Sequence, residues 1–290
     1  MADNYLEKRM EDLKTGRLSS ELRRKKSSGC RTSPSANTAA AKTLMGLRAV
    51  VTGGANGIGL EIVKELRKGG VSVDIIDKDF NKGRSVAQAT GSRFIPLDIS
   101  DISSLRKAFE EIIAYRGDID IIINDAAIVD FIELEQNCGE RMLESLRVNV
   151  LPILEGASIL ARHRASLPSP NPYGGRIINI SSTRASMSEE GTENYTASKG
   201  AIASLTHALM MSLAKYGITV NSIAPGWILT NPDEPTTDAD RLQHPSRRIG
   251  TPGDIARVCR FLVHPDNNFI NGENITVDGG MTRRMIYEGD

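Results

Sequence analysis

The chain has 290 residues, 40% of them apolar, which is enough to bury a full core in one large domain. Lys and Arg together number 36 and so do Asp and Glu, so no net field draws the molecule to nucleic acid or to an anionic membrane. Three widely spaced cysteines, Cys30, Cys138 and Cys259, fit neither a disulfide framework nor a zinc site, and no apolar run is long enough to span a bilayer or to serve as a secretion signal, so a cytoplasmic protein without a metal centre is expected.

Residues 1–45 stand apart in composition. They hold ten Lys or Arg against five Asp or Glu, include the basic run from Leu22 to Lys26, and then turn rich in Ser, Thr and Ala up to Lys42. This reads as a basic arm, either disordered or docked on a partner through the helically spaced Leu6, Met10 and Leu13. The acids Asp3, Glu7, Glu11 and Asp12 argue against an organelle-targeting peptide. A nucleic-acid role would rest on residues 22–31 alone, a short basic run with no aromatic platform, and no such partner is expected.

From Leu47 onward short apolar runs alternate with helix-length amphipathic stretches. Strands are predicted at 48–52, 71–77, 92–96, 119–123, 176–180, 219–223 and 274–277, with helices among them at 60–68, 140–161 and 195–214. The strand runs are continuously apolar, so they are buried on both faces, as in a parallel sheet with helices on each side. Residues 46–290 therefore read as one doubly wound α/β domain with a seven-stranded sheet.

The first strand leads into Thr52-Gly53-Gly54-Ala55-Asn56-Gly57-Ile58-Gly59, followed by a helical pattern. Glycines there let the backbone turn tightly and approach a pyrophosphate at the positive end of the helix. An acid, Asp77, ends the next strand, which completes the pattern of a Rossmann-type dinucleotide site. Asp77 would accept hydrogen bonds from the adenosine ribose and repel the 2'-phosphate of NADP. Asn56 is neutral where a basic residue would favour that phosphate, while the neighbouring Lys78 partly offsets the repulsion. NAD is expected ahead of NADP. Asp98 and Ile99, after the third strand, would meet the adenine. The plainer alternatives are a tight strand-to-helix turn and strand-end acids that cap turns.

Tyr195 and Lys199 lie four residues apart at the start of a long helical pattern, which puts both on one face. A tyrosine with a pKa of about 10 exchanges protons poorly near neutrality, and a neighbouring ammonium would lower that value. Ser181 and Ser182 follow the predicted strand 176–180 and bring hydroxyls to the same end of the sheet. Alone, such a Tyr and Lys pair is common on a solvated helix face.

Taken together, residues 46–280 resemble the short-chain dehydrogenase/reductase family in its common form. The family's Thr-Gly-x-x-x-Gly-x-Gly turn is matched at Thr52 to Gly59, and its active tetrad falls on Asn149, Ser182, Tyr195 and Lys199. Val220 to Gly226 with Thr230 resembles the family's Pro-Gly-x-x-x-Thr segment, which implies nicotinamide contacts from Pro225, Gly226, Ile228 and Thr230. Asn271 to Glu273 and Val277 to Gly280 are similar to the family's final strand. The Asn-Asn-Ala-Gly turn of the family reads Asn124-Asp125-Ala126-Ala127 here. Asn124 and Ala126 are expected at the cofactor, with Asp125 and Ala127 as departures that tune the site.

The resemblance implies hydride transfer to or from a nicotinamide, with Tyr195 as acid or base and Ser182 bonded to the reacting oxygen. Lys199 would lower the Tyr195 pKa and hold the ribose, and Asn149 would hold a water in a proton relay. A buried Asn that satisfies backbone groups is the alternative for Asn149. The substrate pocket is expected after Ser182, around Asp130 and Phe131, and under a loop-like lid from Trp227 to Ile249. Arg184 would clamp a carboxylate, or pair with Glu189 or Glu190, and pairing is the expectation. A secondary alcohol or ketone of a sugar, polyol or hydroxy acid is the expected substrate. Surplus apolar residues such as Leu205, Leu209, Met210 and Met211 point to subunit contacts, and the resemblance implies a homotetramer or a homodimer. His207 is expected at an interface or in the core. The alternatives are an NADP-dependent ketoreductase acting on an acyl thioester, and a catalytically silent NAD-binding sensor or scaffold.

Overall fold

Continuous apolar runs dictate the sheet. In the computed structural model, which describes residues 44–285, the strands are β1 (Arg48–Thr52), β2 (Ser72–Asp77), β3 (Arg93–Pro96), β4 (Ile121–Asn124), β5 (Gly175–Ile180), β6 (Ile218–Pro225) and β7 (Asn274–Val277). They form one seven-stranded parallel sheet in the order β3-β2-β1-β4-β5-β6-β7. The chain winds outward from β1 to β3, then returns to β4 beside β1 and winds the other way. That reversal opens a crevice above the carboxyl ends of β1 and β4. Thr52 is level with Ile76 on one side and with Asn124 on the other, so the loops after these strands emerge together.

The helices are α1 (Gly57–Lys68), α2 (Phe80–Thr90), α3 (Ile102–Arg116), α4 (Gly139–Asn149), α5 (Leu151–Ser166), α6 (Glu193–Leu213), α7 (Asp238–Leu242) and α8 (Pro252–Val263). Alternate residues of each strand feed two cores. Val51, Ile123 and Ile178 pack with Ile62 of α1 and Leu262 of α8. Val50, Ile122 and Ile177 pack with Phe109 of α3, Leu160 of α5 and Ile202 of α6. Both faces are covered, which is why the strands are apolar throughout. The fold is the expected Rossmann-type doubly wound sheet.

Two expectations change. The single helix expected over 140–161 is two helices broken at Val150, because Pro152 has no N–H to donate to the Val148 carbonyl. The segment from Trp227 to Ile249 is not all loop. Thr237 and Asp240 form a capping box that starts α7, each bonding the other's backbone. His207 is exposed on α6, so it is not in the core, the other position expected for it being a subunit interface. The arm expected over residues 1–45 lies outside the described residues except for its end, where Leu44 is buried against Gly69. No helix among the described residues is long and apolar enough to cross a membrane.

Phe109 is 1% exposed and its ring lies 3.1 Å from the place a Cβ on Gly156 would take. Phe109→Ala is expected to cost about 3–5 kcal/mol in urea unfolding. Phe269→Ala, at a fully exposed ring, is expected to stay within about 0.5 kcal/mol of the parent.

Candidate functional site

The turn after β1 is shaped by the absence of side chains. Gly53 and Gly57 have φ of +71° and +54°, a region that favours glycine. A Cβ on Gly53 would lie 2.7 Å from the Ala126 nitrogen, and one on Gly59 would run into the Gly53 carbonyl oxygen. The chain therefore passes over the end of β4 with nothing between, and leaves a bare backbone floor at the start of α1. Asn56, exposed at the N-cap of α1, makes no side-chain capping bond to the N–H groups of the first turn.

Asp77 ends β2 beside this floor. Its Oδ2 accepts from the Ala55 N–H at 3.0 Å and its Oδ1 from the Asp79 N–H at 3.0 Å. The carboxylate thus caps the turn and is held rigid by both bonds. Gly53, Asp77, Lys78, Asp98, Ile99 and Ala126 line a cavity of about 290 Å³. The Ser100 N–H bonds the Asp98 carboxyl and lowers its pKa. A floor with no room for a Cβ, an open helix N-terminus and a fixed strand-end carboxylate fit the pyrophosphate and adenosine ribose of NAD or NADP.

A second cavity, of about 590 Å³, holds the expected chemistry. Ser182, Tyr195 and Lys199 form part of its wall, and Pro225, Gly226, Ile228 and Thr230 another part. Asp125 and Ala127 line both cavities and form their common wall. Helix α6 begins at Glu193, so Tyr195 and Lys199 project from its first two turns. Ser182 opens the short turn after β5, where its Oγ accepts from the Arg184 N–H at 3.1 Å, and it shares the cavity wall with Tyr195. The Lys199 Nζ donates to the Ile180 carbonyl at 2.8 Å and stands 5.4 Å from the centre of the Tyr195 ring. Phe131 meets that ring edge-on at 6.1 Å.

Burial governs the protonation of these groups. It pushes the Lys199 ammonium down to about 8, against the pull of the Asp125 carboxylate. It pushes the Tyr195 phenol up, with Asp125 adding to the rise and Ser182 and Arg184 opposing it. The expected lowering of Tyr195 by Lys199 is therefore corrected: burial outweighs the attractions that act on the phenol. The Asp125 carboxyl rises to about 7, first through burial and further through Asp77, while Lys199 and the Gly59 N–H act the other way.

Two expected residues point elsewhere. Asn124 turns its side chain into the sheet and donates from Nδ2 to Asn179 Oδ1 at 2.8 Å, so it is the next residue, Asp125, that faces the cavities. Asn149, 2% exposed, accepts from the Ile128 N–H at 2.8 Å and donates to the Ile128 carbonyl at 3.1 Å and Ser198 Oγ at 2.9 Å. It satisfies backbone groups, as the alternative reading has it. Arg184 lines the cavity and pairs with Glu189 at 2.7 Å, as expected, and Trp227 lines it too. Gln243 and Met281 also reach it and carry no motif that marks them in the sequence. Among the described residues no His, Cys, Asp or Glu cluster could hold a metal ion.

Comparison with known proteins extends the geometry. The family model described as enoyl-(acyl carrier protein) reductase matches residues 53–282. The chain is 38% identical to an uncharacterized oxidoreductase of Thermotoga maritima, over 84% of this chain and 99% of that protein. It is 31% identical to the 3-oxoacyl-(acyl-carrier-protein) reductase FabG of Chlamydia pneumoniae, covering 83% of this chain and 98% of that one. It is also 31% identical to the 2-dehydro-3-deoxy-D-gluconate 5-dehydrogenase of Dickeya dadantii, with 83% and 97% covered. An apo SCOR enzyme from Clostridium thermocellum superposes with a TM-score of 0.75 at 35% identity, covering 85% of this chain and 97% of that one. A short chain dehydrogenase from Burkholderia cenocepacia, in complex with NADP, superposes with a TM-score of 0.75 at 32% identity, with 83% and 99% covered.

The turn gives a stability test. Gly59→Ala must force its Cβ against the Gly53 carbonyl, and is expected to cost about 1–3 kcal/mol by thermal or urea unfolding. Gly200→Ala, on α6 with open space for a Cβ, is expected to be neutral or stabilising by up to about 1 kcal/mol.

Proposed function

This chain belongs to the short-chain dehydrogenase/reductase family and is an NAD(P)-dependent oxidoreductase, and on that footing we propose that it moves hydride between NAD and a secondary alcohol or ketone of a small polar substrate such as a sugar, polyol or hydroxy acid. One observation carries the reading. Ser182, Tyr195 and Lys199 share the wall of one cavity, and that cavity shares Asp125 and Ala127 with the cleft above the glycine turn.

The bound dinucleotide supplies the hydride chemistry. The rest falls to side chains. Tyr195 gives or takes the proton at its phenol oxygen, and the upward push of burial keeps that phenol protonated and able to donate at neutral pH. Ser182, beside Tyr195 in the same cavity wall, is placed to bond the same substrate oxygen as charge develops on it. Lys199 is anchored on the Ile180 carbonyl, from which it would reach ribose hydroxyls. Asn149 acts as a positioning residue, since its side chain clamps the Ile128 backbone to Ser198 of α6.

The fixed Asp77 carboxylate supports NAD over NADP, because a 2'-phosphate beside it would meet like charge. Gln243, Thr183 and the Arg184–Glu189 pair give the larger cavity a polar side suited to hydroxylated substrates, and the gluconate-type relative is in keeping with this. A second reading, an NADP-dependent ketoreductase for acyl thioesters, is favoured by Lys78 on the Asp77 cavity and by the similarity to the 3-oxoacyl reductase. A cytoplasmic homotetramer or homodimer is the proposed working form, supported by Leu143, Leu151, Leu154 and Met211, all exposed on α4, α5 and α6.

The test is reduction of NAD and of NADP by the purified protein across sugars, polyols, hydroxy acids, simple secondary alcohols and acyl-thioester alcohols. NAD-linked turnover of a hydroxylated substrate is expected, with Tyr195→Phe slowing it by about 10²–10⁴-fold and leaving NADH affinity within a few fold. NADP-linked turnover confined to thioesters would replace the first reading with the second. In the same assay Glu189→Gln releases Arg184, and KM for hydroxy acids is expected to fall roughly two- to fivefold relative to that for uncharged polyols.

A further inference from the structure

Asp125 is a carboxylic acid placed where phosphates are expected. It follows β4 directly, and its Oδ2 lies 2.7 Å from the position a Cβ on Gly59 would take, against the first turn of α1. The Gly59 N–H faces that carboxyl. Asp125 also lines both cavities. A dinucleotide reaching from Asp77 to Tyr195 must carry its two phosphates across this junction, beside the helix end that attracts anions. An ionised Asp125 competes for that field and repels what arrives.

The surroundings decide which form the acid takes. Asp77, from β2, acts on it as a like charge, and Lys199, from α6, as an opposite one. The Lys199 ammonium is engaged with the Ile180 carbonyl. Tyr195 on α6 and the buried Cys259 on α8 feel the Asp125 charge, and it pushes both further toward their neutral forms. Along the smaller cavity stand Lys78, Asp98 and Glu144.

Resting on the dinucleotide reading, we propose that Asp125 sets cofactor affinity by taking up one proton from solvent as the reduced dinucleotide binds, so that a neutral acid faces the phosphates. The proton returns to solvent when the dinucleotide leaves. Burial and Asp77 already hold the Asp125 carboxyl up at about 7, so the uptake costs little near neutrality. The sign follows. A group more protonated in the complex than in the free protein makes binding tighter at low pH, and the advantage is lost as pH rises above the free-protein value of about 7. Lys199 would also gain proton occupancy beside phosphates, and comparison with a variant that lacks the Asp125 carboxyl isolates the acid's share.

Isothermal titration of the full-length protein with NADH, at pH values from 6 to 8.5 and in HEPES and Tris buffers of different ionisation enthalpy, counts the protons directly. The wild type is expected to take up more than about half a proton per NADH at pH 7.5, and its Kd to weaken by about tenfold between pH 7 and 8.5. Asp125→Asn, nearly isosteric, is expected to take up measurably less proton per NADH than the wild type at pH 7.5 and to bind NADH several-fold tighter than the wild type at pH 8.5. NADH binding with no proton uptake by the wild type, or with the same uptake in both proteins, overturns the proposal and leaves the dinucleotide site standing. Failure of both proteins to bind NADH or NADPH at any pH overturns the dinucleotide reading itself, and the proposal with it.

Discussion

The backbone of Gly53 runs so close to that of Ala126 that a single added carbon would stand 2.7 Å from the Ala126 nitrogen. Much else in the site depends on that contact. It closes the gap between the loops after β1 and β4, the two strands at which the winding of the sheet reverses. With those loops pressed together, the first turn of α1 opens over the crevice, and Asp77 can bond the Ala55 N–H across from β2. The smaller cavity is what remains above this floor. A side chain at residue 53 would spread β1 and β4 apart and remove the floor and the common wall together.

The two ends of the sheet treat charge differently. Near the amino ends of the strands, buried acids are fully partnered. Asp120 takes a two-pronged bond from Arg48, at 2.7 and 2.9 Å, and Asp74 is held between Arg93 and Arg116 at 2.9 and 3.0 Å. Such pairs fix the packing of α3 and the strands, and losing one partner would leave an uncompensated buried charge. At the carboxyl ends the pairing is looser. Lys199 spends its ammonium on a carbonyl, and Asp125 faces a backbone N–H and a like-charged Asp77. Asp125 and Lys199 are thus enclosed next to the cavities without a matched ion pair, which is a condition for groups that change their protonation during function.

The strands were legible because a parallel strand buried on both faces cannot hide its composition: Ile121 to Ile123 and Arg176 to Ile180 have little polar alternation to confuse the reading. The glycine turn, Asp77 and the Tyr195–Lys199 spacing were legible because each depends on local chemistry. What escaped depended on direction or on distant neighbours. Asn124 and Asp125 are adjacent, so one side chain enters the sheet while the other faces the cavities, and a motif match alone cannot say which. The break at Val150 was available in Pro152 but was outweighed by the helical periodicity on both sides. The rise of the Tyr195 pKa came from burial by residues far apart in sequence, and a spacing of four says nothing about that.

Formal charges read along the chain therefore overstate the polarity of the site. Burial drives Tyr195, Lys199 and Asp125 each toward its neutral form, upward for the two acids and downward for the ammonium. These three do not compensate one another in direct ion pairs; they respond through space to the same enclosure, so a change in the charge of one shifts the others. A dianionic pyrophosphate arriving at the α1 N-terminus would be the largest charge in the cleft, and its field would favour the ammonium of Lys199 and the neutral acid of Asp125 at once. On this reading, the ligand sets the protonation state of the catalytic wall through the one residue, Asp125, that the two cavities share with an ionisable side chain.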